Sequence, residues 1–353
     1  MSNISYVAGS NQSFNHPAYT RRFPRYAARN HIPYSDYVND RIVGDVSVLS
    51  LAADITFWRR EKRDHKSKIV FDANDPFLLS DEKTTKDLFR GAFKFISGKH
   101  KYLEFSYKNS YLQMCKEADL VIVGHYAQYE LLEKISKNVM LISDYGIDVN
   151  IEQKTNFQLS DKTTINVFWE GLGSSFKPFK MIEQIFEPIR NEFNFVFHFV
   201  TDLSFYKYGD QFLQLNTIDI AKKEAPLFFK QFRFYQWSEY MMNKIAIACD
   251  FAVIPLPSDR SMNFWKPENK LIHMWRMSLP AITSPIPSYV RVLNDSNQNL
   301  YADSFDEWRE LVLEFSKDEL CRLKHGMLGN SYANKMYSDE KIDALWEEGL
   351  NMI

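Results

Sequence analysis

FAVIPLPSDRSMNFWKPENKLIHMWRMSLPAITS, residues 251–284, contains the local pattern that decides the fold class. Its two ends, Phe251–Pro255 and Ala281–Ser284, are short apolar runs of the kind that form fully buried strands. Proline is favoured in the first turn of a helix, so we expect a helix that begins near Pro267 between them. A strand, a loop, a helix and a second strand in this order predict part of a parallel sheet that helices cover on both faces.

Polar residues are spaced along the predicted helix so that they share one face. Lys266, Asn269, Lys270 and His273 follow one another at helical intervals. The helix start would lie at the carboxyl end of a parallel strand, where open α/β sheets bind ligands and free backbone N–H groups favour an anion. Lys266 and Lys270, both expected in the first turn, would add positive charge there. A solvated stripe on an amphipathic helix is the alternative, and the pattern fits both readings equally well.

The same alternation of apolar runs and amphipathic stretches continues through the chain and predicts α/β architecture with two doubly wound sheets. The other predicted strands are Ser5–Ala8, Asp45–Leu51, Lys68–Asp72, Asp119–Val123, Val139–Ser143, Thr164–Trp169 and Phe193–Val200. Apolar residues at helical spacing between Lys180 and Phe193 predict a helix that Pro188 bends or breaks. Helices are also predicted over Phe305–Phe315 and Asp339–Met352.

The length of 353 residues suits two domains. The polar segment 148–162 lacks periodicity, so we interpret it as the linker and place the boundary near residue 158. We expect a first domain over residues 1–158, a second over residues 159–335, and a C-terminal helix over residues 336–353 that could pack back on the first domain.

Composition excludes several classes of protein. A formal net charge of -2 with 45% hydrophobic residues indicates a globular protein rather than a nucleic-acid binder. Cys115, Cys249 and Cys321 are far apart and the eight histidines are scattered, so neither disulfides nor a metal site is predicted. The sequence shows no secretory signal and no apolar run long enough to span a bilayer, so we expect a cytoplasmic protein with at most peripheral contact at the inner face of the membrane.

A second candidate site is the strand-to-helix turn GLGSSF, residues 171–176. It approaches a dinucleotide fingerprint, with Phe176 in place of the third glycine, although a tight turn that needs two glycines explains the pattern more simply. The residues that make it a candidate phosphate cradle or nucleotide site are Gly171, Gly173, Lys177, Lys180 and, after the next strand, Asp202. Both candidate sites would open at the same edge of the second sheet, which favours a nucleotide diphosphate as the ligand.

Charged residues of the first half offer weaker candidates. Asp72 ends a predicted strand and Asp75 follows it; the two could bind a metal or act as a base, but an ordinary Asp-Pro turn is the favoured interpretation. The basic cluster of Arg21, Arg22, Arg25 and Arg29 could line a cleft or contact an anionic acceptor, although runs of charge are usually solvated.

Two stretches carry a family resemblance. ADLVIVGHYAQYELLEKISKNVMLISDYGIDVN, residues 118–150, reads as strand, helix, strand and the turn Gly146-Ile147-Asp148. The opening stretch, extended to residues 249–289, reads as a strand ending in proline, a loop, a helix and a Leu-Pro-apolar strand. Together they resemble the GT-B glycosyltransferases, most closely glycosyltransferase family 4. The resemblance implies two Rossmann-like domains that face a cleft, a nucleotide-sugar donor site in the second domain, and retention of anomeric configuration.

The donor segment departs from that family at two positions. The family usually carries two glutamates here, but Trp265 and His273 stand at those positions in this chain. The second glutamate of the family holds ribose hydroxyls, a role that His273 could share by hydrogen bonding, whereas Trp265 cannot act as an acceptor. Glu268 is the nearby carboxylate that could substitute.

The leading hypothesis is a metal-independent glycosyltransferase with a nucleotide-diphosphate sugar as co-substrate, no further cofactor, and a carbohydrate or lipid-linked acceptor. The expected catalytic residues are Lys270, Lys266 and His273; the donor-binding residues are Gly171, Gly173, Lys177, Lys180, Asp202, Asn263, Glu268 and Asn269; the acceptor-side residues are Asp75, His125 and Arg22. Two alternatives stay open. One is an NAD(P)-dependent oxidoreductase that uses the glycine-rich turn, and the other is a non-catalytic relative that keeps the fold for binding or scaffolding.

Overall fold

The computed structural model describes residues 3–9, 17–38, 44–64, 66–79, 84–146, 151–161, 163–174, 177–207, 213–257 and 263–353. The chain divides into two compact units. Unit 1 comprises Met1–Tyr145, Arg260–Pro267 and Ser338–Ile353, and unit 2 comprises Gly146–Asp259 and Glu268–Tyr337. The second unit thus begins before the boundary expected near residue 158, and the chain returns to unit 1 twice.

Fourteen α-helices lie in the described part of the chain. They are α1 Pro17–Thr20, α2 Phe23–Arg29, α3 Ile55–Asp64, α4 Thr84–Ile96, α5 Tyr107–Glu117, α6 Tyr126–Leu132, α7 Lys177–Phe186, α8 Thr217–Glu224, α9 Glu239–Ala248, α10 Asn269–Arg276, α11 Pro287–Asp295, α12 Phe305–Lys317, α13 Glu319–Met336 and α14 Asp339–Asn351. Among these described helices, none is long and apolar enough to cross a membrane.

Unit 1 contains a parallel sheet of six strands. The strands are β1 Ile4–Ala8, β2 Tyr34–Val38, β3 Val46–Leu49, β4 Lys68–Ala73, β5 Leu120–Val123 and β6 Val139–Leu141, in the spatial order β2-β1-β3-β4-β5-β6. Five of them match predicted strands. The missed strand is β2, whose sequence YSDYV mixes aromatic and polar residues because it lies at the sheet edge.

Apolar layers cover both faces of this sheet. One layer includes Trp58, Phe71 and Tyr111, and the other includes Phe23 and Trp346. Trp346 belongs to α14, so the C-terminal helix supplies core to unit 1. A fully buried tryptophan of this size contributes about 3 kcal/mol or more to folding.

Unit 2 contains a second parallel sheet, of five strands, and a separate antiparallel pair. The five strands are β7 Thr164–Glu170, β8 Asn194–Thr201, β11 Phe232–Gln236, β12 Phe251–Ile254 and β13 Ala281–Thr283, in the order β11-β8-β7-β12-β13, and the pair is β9 Ser204–Lys207 with β10 Leu213–Asn216. Two doubly wound α/β units were predicted, and the structure confirms them. The sequence-based prediction missed β11 and the antiparallel pair.

Two local predictions in unit 2 have different outcomes. Pro188 lies in a 3₁₀ turn, Glu187–Ile189, directly after α7 ends, so the predicted break is confirmed. The helix expected near Pro267 is present and begins at Asn269, with Glu268 as its N-cap. Lys266 therefore lies outside α10, and the prediction that it belongs to the first helical turn is wrong.

Candidate functional site

The topological switch point of unit 2 lies between β7 and β12. β7 is the first strand of this sheet in the chain, and its neighbours are the second strand, β8, and the fourth, β12. At such a point the chain connections on the two sides of β7 run in opposite directions along the sheet. A crevice therefore opens outside the carboxyl ends of the strands. The strand order and the position of the crevice are those of dinucleotide-binding and nucleotide-binding sheets.

Lys270 places a positive charge at this switch point. Its Nζ donates a hydrogen bond to the main-chain oxygen of Glu170 at 2.9 Å and lies 3.6 Å from the Glu170 Oε2 atom. The ammonium also lies 5.6 Å from the centre of the Trp169 ring. With 29% of its side chain exposed, Lys270 is fixed against the end of β7 and still reaches solvent. An anion that enters the crevice would meet an oriented charge.

The carboxylate of Glu170 also has a second partner. Its Oε1 atom accepts a hydrogen bond from Trp237 Nε1 at 3.2 Å. A small cavity of about 10 Å³ lies beside these groups, lined by residues of β7, β12 and α10. The cavity is too small for a nucleotide, so any nucleotide would occupy the open crevice outside it.

The two glycines of the turn after β7 are required by close packing. A Cβ atom at Gly171 would lie 2.5 Å from the Trp169 ring and 3.0 Å from Lys270 Nζ. A Cβ atom at Gly173 would collide with Thr217 Oγ1 and with the main-chain oxygen of Asp202, which that hydroxyl hydrogen-bonds. Gly171 is thus needed so that the lysine can approach the strand end, and the turn has a structural reason for both glycines.

The remaining predicted residues of this turn lie around its exit. Lys177 is the first residue of α7, and both Lys177 and Lys180 have exposed side chains. Asp202 directly follows β8 at the same edge of the sheet and is half-buried. Ser175 and Phe176 lie outside the described residues, so the structure does not describe the full fingerprint.

The predicted polar stripe on α10 is divided by burial. Asn269 and Lys270 are half-buried at the helix start, whereas His273 is buried with 5% of its surface exposed. α10 packs against α13 and against β12 and β13, which covers the His273 position. The four polar residues therefore do not form one open face, because Lys266 precedes the helix and His273 lies within its packed part.

Glu268 has two strong partners inside unit 2. Its Oε1 atom accepts hydrogen bonds from Arg291 Nη2 and from the Tyr337 hydroxyl, each at 2.5 Å. The carboxylate is buried, with 4% of the residue exposed. Burial, followed by the nearby carboxylate of Glu268, raises the pKa of Tyr337 and keeps the phenol a proton donor. Glu268 therefore joins α10 to α11 and to the end of α13, a structural role that sequence reasoning missed.

Arg22 of unit 1 is an internal residue. Its guanidinium is 1% exposed and pairs with Asp72 at 2.6 Å and with Asp144 at 3.1 Å. It also donates to the main-chain oxygen of Ile142 at 2.7 Å. Arg29 likewise pairs with Asp343 on α14 at 3.0 Å. The structure thus corrects the expectation that Arg22 faces an acceptor, because its charge is neutralised inside the unit.

His125 and Trp265 contact each other in unit 1. His125 caps α6, and its Nδ1 atom accepts a hydrogen bond from the main-chain N–H of Ala127 at 3.1 Å. The Trp265 ring meets the His125 ring edge-on, with centroids 5.8 Å apart. The segment Arg260–Pro267 belongs to unit 1 and interrupts unit 2 in sequence; it contains Asn263, Trp265 and Lys266. The tryptophan that replaces an expected glutamate therefore packs against a predicted acceptor-side residue.

A larger cavity, of about 320 Å³, lies in unit 1 and was not predicted. Its lining includes Tyr19, Asp75, Arg90, Lys94, His100 and Tyr107. Asp75 is the predicted acceptor-side residue on this wall, and its main-chain oxygen accepts from the Tyr111 hydroxyl at 3.3 Å. The alternation of basic and aromatic residues in RGAFKFISGKHKY, residues 90–102, is the sequence signal that could have indicated it.

No protein-family profile and no curated relative matches the chain. Solved structures do match. HepE from Anabaena, in complex with UDP and glucose, is 11% identical with a TM-score of 0.64, and the match covers 100% of both chains. Sucrose-phosphate synthase from Thermosynechococcus elongatus is 11% identical with a TM-score of 0.61, over 93% of this chain and 75% of that one.

TarM gives a third match, at 12% identity and a TM-score of 0.59. The match covers 87% of this chain and 54% of TarM, so this chain spans about half the length of that protein. At these identities the matches establish architecture. The chain has the GT-B fold that the resemblance implied, with two Rossmann-like units and C-terminal helices.

Proposed function

We propose that this chain is a glycosyltransferase that moves a sugar from a nucleotide-diphosphate sugar to a carbohydrate or lipid-linked acceptor in surface polysaccharide or glycan synthesis. The observation that carries the proposal is the ammonium of Lys270, held 2.9 Å from the carboxyl end of β7 at the switch point. The full-length match to a structure that contains UDP and glucose supports the same assignment.

The proposed reaction needs stabilisation of a leaving group more than it needs a nucleophile on the protein. The bond between the sugar and the diphosphate breaks, negative charge develops on the departing oxygen, and the acceptor hydroxyl forms the new bond and gives up its proton. A fixed cation near that oxygen stabilises the transition state. Lys270 fills this role in the proposal, and the start of α7 with Lys177 and Lys180 is the second contributor.

The proposal gives smaller parts to the other predicted residues. Asn269, at the start of α10, offers an amide and a main-chain N–H to the donor. His273 is buried on the same helix, so it would act by positioning α10. Lys266 and Asn263, on the unit 1 segment, remain proposed donor contacts. Retention of configuration, independence of metal ions and the absence of a further cofactor also belong to the proposal.

We also propose that the protein contacts the inner face of a membrane through α4 and the segment after it. Phe89 is 76% exposed, Ile96 is 81% exposed and Phe105 is 74% exposed, which is unusual for large apolar residues in one region. Lys101, which follows α4, is exposed as well. Apolar side chains combined with basic ones suit the interface of an anionic bilayer.

Co-sedimentation with lipid vesicles tests this contact. Wild-type protein should bind vesicles that contain phosphatidylglycerol and not neutral vesicles of the same size. Phe89→Ser combined with Phe105→Ser should reduce the bound fraction without changing the thermal midpoint, because both side chains are exposed. Leu213→Ser is the control, because Leu213 is also an exposed apolar residue but belongs to unit 2; this variant should bind vesicles as the wild type does. Equal binding by the double variant would exclude the proposed surface.

A thermal-shift screen against UDP, GDP, dTDP, CMP and NAD(P) tests the function. A transferase should be stabilised by one nucleoside diphosphate, and release of that diphosphate from the matching sugar nucleotide should follow addition of acceptor. Stabilisation by NAD(P) alone would instead assign an oxidoreductase. Binding of a sugar nucleotide with no turnover under any acceptor would assign a non-catalytic binding protein.

A further inference from the structure

The cavity of about 320 Å³ in unit 1 lies at the functional edge of its sheet. Leu51 and Ala52 follow β3, and Asp75 and Phe77 follow β4, so one wall is made by the carboxyl ends of two parallel strands. The opposite wall comes from α4, α5 and the loop between them. The cavity is large enough for a small sugar or an acyclic polyol with one substituent.

Three cations gather in this wall. Arg90 and Lys94 lie on α4, and Lys99 follows it. The guanidinium of Arg90 lies 4.5 Å from the centre of the Phe77 ring, and Lys94 Nζ lies 4.0 Å from the centre of the Tyr107 ring. Burial and then the positive charges of Arg90 and Lys99 lower the pKa of Lys94 to about 8. Arg90 and Lys99 are therefore both close enough to Lys94 to repel its ammonium group.

The acidic residues nearby balance this charge only in part. Asp75 is the one carboxylate among the described residues of the cavity wall. Asp54 is near enough to act on Lys94, but its Oδ1 atom accepts from the main-chain N–H and hydroxyl of Thr56 and its Oδ2 atom from the main-chain N–H of Lys101 at 2.6 Å. Asp54 keeps its negative charge while it accepts these hydrogen bonds, so the described residues place three cations against two carboxylates.

His100 supplies a second, independent indication of a ligand. The residue is 2% exposed, it lines the cavity, and neither ring nitrogen has a hydrogen-bond partner among the described residues. Burial, followed by the charge of Lys94, lowers the pKa of His100 to about 4, so the ring is neutral at pH 7. A neutral imidazole offers one donor and one acceptor, and buried polar groups in proteins are rarely left without partners.

We propose that this cavity binds an oxyanion, a phosphate or carboxylate group carried by the acceptor, between Arg90, Lys94 and Lys99. His100 would donate to the same anion, and the rings of Tyr19 and Tyr107 would pack against the organic part of the molecule. The assignment of the anion to the acceptor rests on the proposed function, whereas binding of the anion does not. An acceptor that binds in this way carries negative charge.

Calorimetric titration with inorganic phosphate at constant ionic strength tests the site. Wild-type protein should bind phosphate, and Lys94→Gln combined with Lys99→Gln should weaken that binding at least tenfold. The matched control removes two exposed lysines of α8, Lys222→Gln with Lys223→Gln, and should bind as wild type does.

Each outcome decides one of the two proposals. Wild-type affinity for phosphate in the Lys94 and Lys99 variant would overturn the anion site and leave the glycosyltransferase proposal standing. Phosphate binding that depends on Lys94 and Lys99, in a protein that no nucleoside diphosphate stabilises, would support the anion site and contradict the glycosyltransferase. If the double variant loses its fold, His100→Leu replaces it, and unchanged phosphate affinity in that variant would also overturn the site.

The nature of the anion follows from a second pair of probes. Glucose 6-phosphate and glucuronate should each bind more tightly than glucose to wild-type protein, and the difference should vanish in the Lys94 and Lys99 variant. If glucose 6-phosphate binds more tightly than glucuronate, the acceptor is assigned as phosphorylated. If glucuronate binds more tightly than glucose 6-phosphate, the acceptor is assigned as an acidic sugar. Equal affinity for glucose and both charged sugars would contradict the proposal.

Discussion

Replacement of Lys270 by methionine should separate ligand binding from stability. Methionine keeps an unbranched apolar stem of similar length against the Trp169 ring and removes the ammonium group. The hydrogen bond from Nζ to the Glu170 oxygen is lost, and so is the 3.6 Å approach to the Glu170 carboxylate. Because the side chain is 29% exposed, water can replace these partners. We expect the free energy of unfolding to fall by about 1 kcal/mol or less.

The effect on the nucleotide should be larger. A hydrogen bond between charged groups contributes about 1.5–3 kcal/mol, so loss of the ammonium should weaken binding of the nucleoside diphosphate about tenfold to a hundredfold. The deficit should be smaller for the corresponding nucleoside monophosphate. Arginine should not restore full affinity, because the space around Nζ is so tight that a Cβ at Gly171 would approach it to 3.0 Å.

Isothermal titration of the wild type and of Lys270→Met with the stabilising diphosphate measures this prediction. Lys222→Met, on the exposed surface of α8, serves as the matched control because it removes the same charge elsewhere in unit 2. Urea unfolding of each variant measures the change in the free energy of unfolding. Wild-type affinity in Lys270→Met would refute the argument that the switch point of unit 2 holds the diphosphate.

Three further predictions address the framework of the sites. Gly171→Ala should destabilise the protein by about 1–3 kcal/mol in urea unfolding, since its Cβ would lie 2.5 Å from the Trp169 ring; an unchanged midpoint would show that the turn can relax. Arg22→Met should lower the free energy of unfolding by about 3–5 kcal/mol at pH 7, because it leaves the buried Asp72 carboxylate without its main partner, and an unchanged urea midpoint would contradict this role. Lys94→Met should raise the free energy of unfolding at pH 7, because burial is the largest cause that lowers the pKa of Lys94 to about 8. The difference in free energy of unfolding between Lys94→Met and the wild type should shrink as the pH rises from 8 to 10.5. In this range the folded wild type has released the Lys94 proton while the unfolded chain still binds it, so the wild type gains stability. A difference that stays constant with pH would contradict the lowered pKa of Lys94.

Elements with a strong local signal could be predicted from the sequence. The runs around Phe251 and Ala281 are buried on both sides in the structure, as continuous apolar runs in parallel sheets are. β2 and β11 were missed because each is an edge strand whose partly exposed residues break the apolar run. Whether such a segment forms an edge strand depends on the strand that it pairs with, and the sequence of the segment itself does not identify that strand.

The candidate site was predictable where it depends on strand ends. Lys270 and Gly171 were identified because both follow or approach the carboxyl end of a strand, and the structure brings them together. His273 looked accessible because helical spacing does not show what packs on a helix. The partners of Glu268 also could not be predicted, since Tyr337 is distant in sequence and reaches it only in the fold.

Hydrogen exchange of the full chain with and without UDP tests the central claim most directly, with GDP and dTDP as parallel ligands. The account predicts that one diphosphate slows exchange at the turn after β7, residues 170–174, and at the start of α10, residues 268–274, and that Lys270→Met abolishes both effects at the same ligand concentration. Protection that avoids both segments, or protection of residues 170–174 by NAD(P) and by no diphosphate, would contradict it.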